Sequence, residues 1–268
     1  MTSQIATSQP CATSCLASSR PMPVPPPVMT ANLPEKFCMT YLCFFVHWCL
    51  SMVLVNNGTI AIDRRTMKTK LLFVTDPLCS WCWGTLPEVL SAREKMAQQV
   101  EFDLIMGGLQ IGPPTGLVEY DKQRLRRLWQ EVTNVTGRTF SGKIPEDFVY
   151  HSEVACRAVE IARNNTGGPP WDFFYQLQAS FYEDGLDISQ PAVLANLLQI
   201  DEVDVSSLIS DSHFVDAVRR HFELAASLSA SALPTILLDT GEGYKLLSGG
   251  YITAEYLVAE IEHRMEIK

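Results

Sequence analysis

The chain is short of positive charge and, over most of its length, of cysteine. It carries 21 Lys and Arg against 30 Asp and Glu, for a net charge of −9. This deficit argues against a nucleic-acid-binding protein, which needs a basic surface. No internal repeat is present, which argues against a repeat architecture. Three of the eight cysteines follow Met67, and they include no second Cys-x-x-Cys pair that would complete a four-ligand zinc site.

Residues 1–66 differ in composition from the rest of the chain. The first 36 residues are rich in Ser, Thr, Pro and Ala, and we expect them to be disordered. Residues 37–55 are apolar and contain no Asp, Glu, Lys or Arg, and this run is just long enough to span a bilayer as a helix. Two interpretations stay open: a membrane anchor, or a leader outside the working protein, whose first residue would then be Met67. A signal peptide fits poorly because the apolar run begins late and lacks a clear small-residue cleavage site.

The segment after this leader has the pattern of a βαβ unit. Residues 70–75 and 101–106 are short apolar runs typical of buried strands, and residues 85–100 between them have helical spacing. Cys79 and Cys82 lie between the first strand and the helix. The sequence therefore predicts a pair of thiols at a helix start.

The position of this pair favours redox chemistry. Free N–H groups at a helix start and the positive end of the helix dipole favour an anion. Cys79 comes first, and we expect it to lie at the exposed edge of the helix with its thiolate stabilised. Cys82, one turn further along, is placed to close a disulfide or to resolve a mixed one. A zinc site and two inert core thiols are the alternatives, but CxxC at a helix start within a βαβ unit points to a redox pair.

A proline precedes the second half of the predicted sheet. Residues 235–239 and 244–249 are apolar strands joined by a glycine-rich turn, and residues 253–265 have helical spacing. Pro234 lies directly before the first of these strands and cannot donate a hydrogen bond to a sheet ladder. The pattern predicts a ββα unit that opens on a proline.

Together these features resemble a known family. A βαβ start with CxxC at its first helix and a ββα end that opens on a proline are similar to the thioredoxin fold. The individual sequence motifs are more similar to those of the DsbA-like family, and within it to those of the bacterial branch of predicted protein-disulfide isomerases. The stretches that carry the resemblance are DPLCSWCWG (76–84), LIMGGLQIG (104–112), LWQEVTNVTGRTF (128–140), ACRAVEIAR (155–163), LQASFYEDGLDISQPAVL (177–194), LPTILL (233–238) and GGY (249–251).

The resemblance covers about residues 68–265 and implies an α/β, thioredoxin-like fold (βαβ…ββα) with a helical insertion subdomain. The thioredoxin-like domain would comprise residues 67–112 and 233–268, and residues 113–232 would form the insertion. The resemblance also implies that Leu233-Pro234 is a cis peptide packed against the disulfide, since cis bonds are essentially confined to X-Pro. The backbone of Leu233 would then hold an extended substrate peptide by β-strand addition.

Further residues near the cysteine pair are candidate helpers. Trp81 and Trp83 flank the pair and offer a packing surface to a partner peptide if they are exposed. Asp76 is a possible proton shuttle during disulfide exchange, although a cap of the turn at Pro77 is the favoured interpretation. Cys156 is expected to be a small buried core residue and not a third redox thiol.

The sequence therefore predicts a thiol-disulfide oxidoreductase or disulfide isomerase that acts through a Cys79/Cys82 dithiol on protein or small disulfides. No cofactor and no metal are expected, because the dithiol carries the electrons. The absence of a histidine between the cysteines favours a centre less oxidising than DsbA. Two alternatives stay open: a glutathione-dependent isomerase or transferase of the 2-hydroxychromene-2-carboxylate isomerase type, and a non-catalytic peptide-binding holdase.

The expected partner is a disulfide-containing protein or a small thiol, and not a nucleic acid. More basic residues follow the apolar run 37–55 than precede it, so the positive-inside bias would leave the C-terminal domain in the cytoplasm even if the run were an anchor. We therefore expect a cytoplasmic location, with a membrane partner only if residues 37–55 are a real anchor.

Overall fold

The computed structural model describes residues 69–266, and the predictions for residues 1–66 lie outside them. Within the described part, four strands form one mixed sheet in the order β2-β1-β3-β4. The strands are β1 (Thr69–Thr75), β2 (Val100–Met106), β3 (Thr235–Asp239) and β4 (Tyr244–Ser248). β1 pairs parallel with β2, and β3 pairs antiparallel with both β1 and β4. The predicted pair β1–β2 and the predicted pair β3–β4 therefore form one sheet, in which β1 and β3 are the neighbouring central strands.

The two central strands are apolar because both faces of the sheet are covered. Leu71, Leu72, Phe73 and Val74 of β1 are at most 2% exposed, and β3 is buried from Thr235 to Leu238. A strand buried on both faces has a continuous apolar run instead of an alternating pattern. β4 lies at the edge, and its residues are exposed or half-buried.

The first helix, α1 (Ser80–Lys95), begins at the cysteine pair, before the stretch from residue 85 in which the helical spacing is recognisable. Cys79 is its N-cap, and the Cys79 Sγ accepts a hydrogen bond from the backbone N–H of Cys82. The helical spacing became visible only after the CxxC because the first turn carries the cysteines and tryptophans themselves. The helix also ends before residue 100, because Val100 already pairs with Thr69 in the sheet.

Six helices lie between β2 and β3, as the predicted insertion requires. They are α2 (Glu119–Thr136), α3 (Glu153–Thr166), α4 (Trp171–Tyr182), α5 (Pro191–Leu198), α6 (Glu202–Ser210) and α7 (Ser212–Ser227), and α8 (Ala254–Glu266) follows the sheet. The thioredoxin-like α/β fold with a helical insertion is therefore confirmed, while the exact domain limits stay a prediction. None of the helices within residues 69–266 is long and apolar enough to cross a membrane.

The inserted helices share one hydrophobic core with the sheet. Phe73 of β1, Trp83 of α1 and Phe174 of α4 belong to the same buried cluster. At Gly84 the approach of α2 to α1 is so close that an added Cβ would lie 2.8 Å from the Cγ1 of Val132. The insertion is thus packed directly against the helix that carries the cysteine pair.

A histidine of α7, the last inserted helix, forms a hydrogen bond with the end of β2. The backbone N–H of Met106 donates to the Nδ1 of His221 over 3.2 Å. Burial lowers the pKa of His221, so the neutral ring, which can accept this bond, is favoured. No local sequence pattern indicates this contact, because the two residues are 115 positions apart.

Candidate active site

Cys79 and Cys82 are brought together by the start of α1. The Cys79 Sγ lies 3.3 Å from the backbone nitrogen of Cys82, which donates to it. The backbone N–H of Cys79 in turn donates to the carbonyl oxygen of Asp76 over 3.1 Å, which closes the turn between β1 and α1. A sulfur that receives an N–H group at a helix N-terminus is well placed to carry a negative charge.

The segment before β3 lies against the first cysteine. The Leu233-Pro234 peptide is cis. The Cys79 Sγ donates to the carbonyl oxygen of Leu233 over 3.5 Å. The structure therefore brings the predicted proline segment to the CxxC, while the role of Leu233 and Pro234 in binding a substrate stays a prediction.

The two thiols of the pair differ in their surroundings. Cys82 is fully buried, and burial raises its pKa well above the ordinary value, with the hydrogen bond to Cys79 as the next cause. The side chain of Thr75 and the backbone of Asp76 act in the opposite direction. Cys79 is 4% exposed, so the expectation that it lies at an exposed edge is wrong. It is covered because the segment at Leu233 folds over the helix start.

Asp76 is fully buried and receives four hydrogen bonds. Its Oδ1 accepts from the backbone N–H of Leu78 at 2.9 Å and from the hydroxyl of Ser152 at 3.0 Å. Its Oδ2 accepts from the backbone N–H of Leu109 at 2.8 Å and from the thiol of Cys156 at 3.8 Å. The bond to Leu78 is the turn cap that the sequence favoured. The role of Asp76 as a proton shuttle stays a prediction.

Burial is the main influence on the charge of this carboxyl group. It raises the pKa of Asp76, and the hydrogen bonds from Leu109, Leu78, Ser152 and Cys156 oppose the increase. Removing a carboxylate from water costs free energy, and hydrogen-bond donors from the protein offset part of this cost. Asp76 is thus a buried acid whose donors come from three separate parts of the chain.

The surroundings of Cys156 are more polar than the sequence interpretation implied. The residue is fully buried in α3, as expected for a small core side chain. Burial raises the pKa of its thiol well above the ordinary value, and the charge of Asp76 is the second cause. No local sequence pattern connects Ser152 or Cys156 with Asp76, because 76 and 80 residues separate them.

Two more side chains donate hydrogen bonds to the backbone of the turn that precedes Cys79. The hydroxyl of Tyr150 donates to the carbonyl oxygen of Leu78 over 2.8 Å. The amide of Gln178 donates to the carbonyl oxygens of Asp76 and Pro77 over 3.2 and 3.3 Å. Neither residue was singled out from the sequence. Together they fix the turn that precedes the cysteine pair.

The two tryptophans beside the cysteines differ sharply. Trp83 is fully buried, its ring stacks on Tyr182 with a centroid distance of 5.8 Å, and the guanidinium carbon of Arg138 lies 3.4 Å from its centroid. The expectation that Trp83 offers a surface to a substrate is therefore wrong, since the aromatic side chains of α4 cover it. Trp81 is half-buried and remains a candidate contact.

A cavity of about 540 Å³ lies beside this site. Tyr150 lines it and connects it to Leu78, the residue before Cys79. Arg124 and Arg127 of α2 also line it, together with acidic and apolar side chains. The volume is in the range of small-molecule sites. Within residues 69–266 no group of three or more His, Cys, Asp or Glu side chains could hold a metal ion.

The fold and the site define a protein of the thioredoxin class with a dithiol at a helix start. The sequence profile of the family described as Thioredoxin matches residues 72–248, which is well over half of the chain, so the protein belongs to this family. The comparison with curated proteins found no match.

Solved structures with the same fold are also similar to this chain. A candidate protein disulfide isomerase from Nitrosomonas europaea is 25% identical, with a TM-score of 0.67, over 75% of this chain and 99% of that chain. The cytosolic disulfide reductase DsbM from Pseudomonas aeruginosa is 20% identical, with a TM-score of 0.59, over 74% of this chain and 96% of that chain. The predicted DsbA-like thioredoxin-fold family is confirmed. At the level of the family, the comparisons support a thiol-disulfide oxidoreductase.

Proposed function

We propose that the protein is a thiol-disulfide oxidoreductase or disulfide isomerase in which Cys79 and Cys82 are the catalytic residues. One observation carries the proposal. The Cys79 Sγ receives the N–H of Cys82 at the start of α1 and lies 3.5 Å from the carbonyl oxygen of Leu233, beside a cis proline. A thiol in this position is close both to its resolving partner and to the backbone that would hold a substrate.

The reaction follows from the order of the two sulfurs. The Cys79 thiolate attacks one sulfur of a substrate disulfide, a mixed disulfide forms, and the other substrate sulfur leaves as a thiolate. Cys82 then loses its proton and attacks the Cys79 Sγ, which releases the second substrate thiolate. The substrate gains two electrons, and the protein is left with a Cys79–Cys82 disulfide. In an isomerase the first released thiolate attacks another substrate disulfide before Cys82 acts.

The substrate is proposed to be an extended peptide or a small disulfide. The backbone of Leu233 and the half-buried Trp81 would contact it, and Pro234 would shape the edge that it joins. Trp83 has no part in this contact because it is buried. One structure of DsbM contains GSH, which makes glutathione the first small thiol to test as the recycling partner. A cytoplasmic location stays a prediction.

The test uses the full chain with the five cysteines before Met67 replaced by serine, here called the three-cysteine chain because Cys79, Cys82 and Cys156 remain. It should reduce a disulfide-containing peptide with turnover in the presence of a small thiol, and its own oxidised form should lose two hydrogens by mass spectrometry. Cys79→Ala should abolish turnover, and Cys82→Ala should accumulate a mixed disulfide at residue 79. Full turnover in Cys79→Ala would exclude the proposal. Peptide binding without any turnover in the three-cysteine chain would exclude it as well and would favour the holdase.

A further inference from the structure

Gly107, the first residue after β2, has no room for a side chain. A Cβ atom added there would lie 2.7 Å from the Cδ2, 2.9 Å from the Cδ1 and 3.3 Å from the Cγ of Leu233. Carbon atoms in van der Waals contact are about 3.5–4.0 Å apart, so the end of the Leu233 side chain occupies this space. Gly107 does not have a positive φ. The contact with Leu233, and not backbone strain, is therefore what requires a glycine.

The backbone of the same leucine faces the first cysteine. The Cys79 Sγ donates to the carbonyl oxygen of Leu233 over 3.5 Å. The Leu233 side chain is half-buried and packs on a small hydrophobic cluster, which consists of Leu72, Val74, Ile105, Ala225, Ala230 and Leu237. Leu233 thus has its carbonyl group beside Cys79 and its methyl groups beside Gly107. The place of the side chain and the place of the backbone are linked within one residue.

The sheet and the turn before α1 fix the backbone around Gly107. Its own N–H donates to the carbonyl oxygen of Thr75 over 2.7 Å, which continues the pairing of β2 with β1. Two residues further on, the N–H of Leu109 donates to the Oδ2 of Asp76 over 2.8 Å. Gly107 therefore cannot move away from Leu233 without breaking hydrogen bonds to the end of β1.

Helix α7 fixes the two neighbours of Gly107 from another side. The N–H of Met106 donates to the Nδ1 of His221 over 3.2 Å. A Cβ atom added to Gly108 would lie 2.9 Å from the Cδ1 of Phe222, so this ring lies directly on the backbone. The residues before and after Gly107 are both in contact with α7. Gly107 is thus the fixed partner in its contact with Leu233, and Leu233 is the residue that would have to shift.

We infer that Gly107 is a positioning residue for substrate binding, which acts by accommodating the Leu233 side chain so that the Leu233 backbone stays beside Cys79. The inference rests on the proposed dithiol function and on the proposed role of the Leu233 backbone in holding an extended peptide. It adds a residue from the βαβ half of the fold to a substrate edge that belongs to the ββα half.

An alanine at residue 107 would displace Leu233 as a whole. Rotation about the Cβ–Cγ bond of Leu233 moves its two methyl groups but leaves the Cγ, which is itself only 3.3 Å from the added atom. The side chain must therefore change its position, and the backbone that carries it moves too. Hydrogen bonds between strands weaken when the distance or the angle departs from the ideal. A peptide that binds by strand addition to Leu233 would then bind less tightly.

The experiment compares two substrates of the three-cysteine chain. One is an extended peptide disulfide, and the other is a nitrobenzoate aromatic disulfide, which has no peptide groups to pair with the Leu233 backbone. Gly107→Ala should raise KM for the peptide about tenfold and change kcat by less than about twofold, as expected when binding geometry is lost and the reacting sulfur is not. The rate constant for the aromatic disulfide should stay within about twofold of the parent value.

A double variant tests whether the effect passes through Leu233. Leu233→Ala removes all three atoms that the added Cβ would meet. In this background Gly107→Ala should have no further effect, with KM within about twofold of that of Leu233→Ala alone. The same tenfold increase in both backgrounds would mean that Gly107 acts independently of Leu233 and would overturn the inference. Gly168→Ala is the matched control, because nothing lies within 4 Å of its added Cβ, and its KM should equal that of the parent.

A variant that does not fold is also informative. If Gly107→Ala is unfolded by circular dichroism, the double variant Gly107→Ala with Leu233→Ala should fold, because the clash is gone. A double variant that is unfolded while Leu233→Ala folds would show that Gly107 is needed for another reason and would overturn the inference. Equal slowing of the peptide and the aromatic disulfide in Gly107→Ala would indicate a general disturbance of the site and would overturn it too.

The outcomes separate this inference from the proposed function. If the three-cysteine chain reacts with neither substrate, the dithiol function itself fails. If it reacts with both and Gly107→Ala has the parent KM for the peptide, the dithiol survives and the positioning role is wrong. Reaction with the aromatic disulfide but not with the peptide would also leave the dithiol intact and overturn the inference, because no peptide would then be held at Leu233.

Discussion

The Cys79 Sγ and the carbonyl oxygen of Leu233 lie 3.5 Å apart, although 154 residues separate them in the chain. This contact joins the βαβ start of the fold to its ββα end. It exists because β1 pairs antiparallel with β3, which places the end of β1 beside the start of β3. The candidate redox site is therefore a product of the sheet order and not of the CxxC alone.

The difference between the two thiols predicts the order in which they react. At neutral pH a small alkylating reagent should modify Cys79 first, because its sulfur receives an N–H group at the helix start. Cys82 and Cys156 should react slowly until the protein unfolds, since both are fully buried and burial raises the pKa of each thiol. Peptide mapping by mass spectrometry after timed alkylation measures the order. Modification of Cys82 ahead of Cys79 would contradict the assignment of the attacking sulfur.

The two tryptophans beside the cysteines form a matched pair for mutagenesis. Trp83→Ala should lower the free energy of unfolding by about 3–5 kcal/mol, because it removes a fully buried ring from the aromatic cluster. Trp81→Ala should change it by less than about 1 kcal/mol and should raise KM for a peptide disulfide, as expected for a half-buried substrate contact. Urea unfolding and steady-state kinetics measure the two effects. Equal destabilisation by both substitutions would contradict the difference in burial.

The close contact between α1 and α2 at Gly84 predicts a second effect on stability. In Gly84→Ala the added methyl group would meet Val132 at 2.8 Å and Thr136 at 2.9 Å, so the two helices must move apart. Overpacking of this kind typically costs about 1–3 kcal/mol. Gly168→Ala is the control, because nothing lies within 4 Å of its added Cβ. Denaturant midpoints should fall in the first variant and stay within error of the parent protein in the second.

The raised pKa of Asp76 predicts a stability that depends on pH. Burial is the main cause of the increase. The folded protein therefore binds this proton more tightly than the unfolded chain does, and the contribution of Asp76 to stability is present in acid and is lost as the pH rises through its folded pKa. The stability of Asp76→Asn relative to the parent should accordingly increase over that pH window, whatever the cost of the lost hydrogen bonds. Chemical unfolding of both proteins at several pH values measures the slope. A relative stability that is flat, or that falls as the pH rises, would show that the carboxyl group is not destabilised by burial.

Much of the fold could be read from local patterns. The strands at 70–75, 101–106 and 235–239 were predictable because each is an apolar run flanked by turn residues, and the cysteine pair marks the helix start between the first two. The candidate pair Cys79 and Cys82 follows from the same local signal, because two residues of spacing suffice to place both sulfurs on one turn.

Burial and distant contacts could not be read in this way. Trp81 and Trp83 are equivalent in the sequence, and only the packing of α4 against α1 decides that Trp83 is covered while Trp81 is not. The helical spacing of apolar residues continues through Met96 and Val100, although α1 ends at Lys95. Both residues are apolar because they are buried by tertiary packing, and not because they belong to the apolar face of the helix.

Local patterns in the sequence are enough to predict a redox-type cysteine pair at the start of a helix in a thioredoxin-like chain, because backbone propensities and short spacings act over a few residues. The groups that surround that pair are set by tertiary packing. The contacts of Leu233 with Cys79, and of Ser152 and Cys156 with Asp76, each join residues at least 76 positions apart. Such contacts depend on how whole elements pack. A buried carboxyl group needs hydrogen-bond donors, and these come from whichever parts of the chain the fold places beside it.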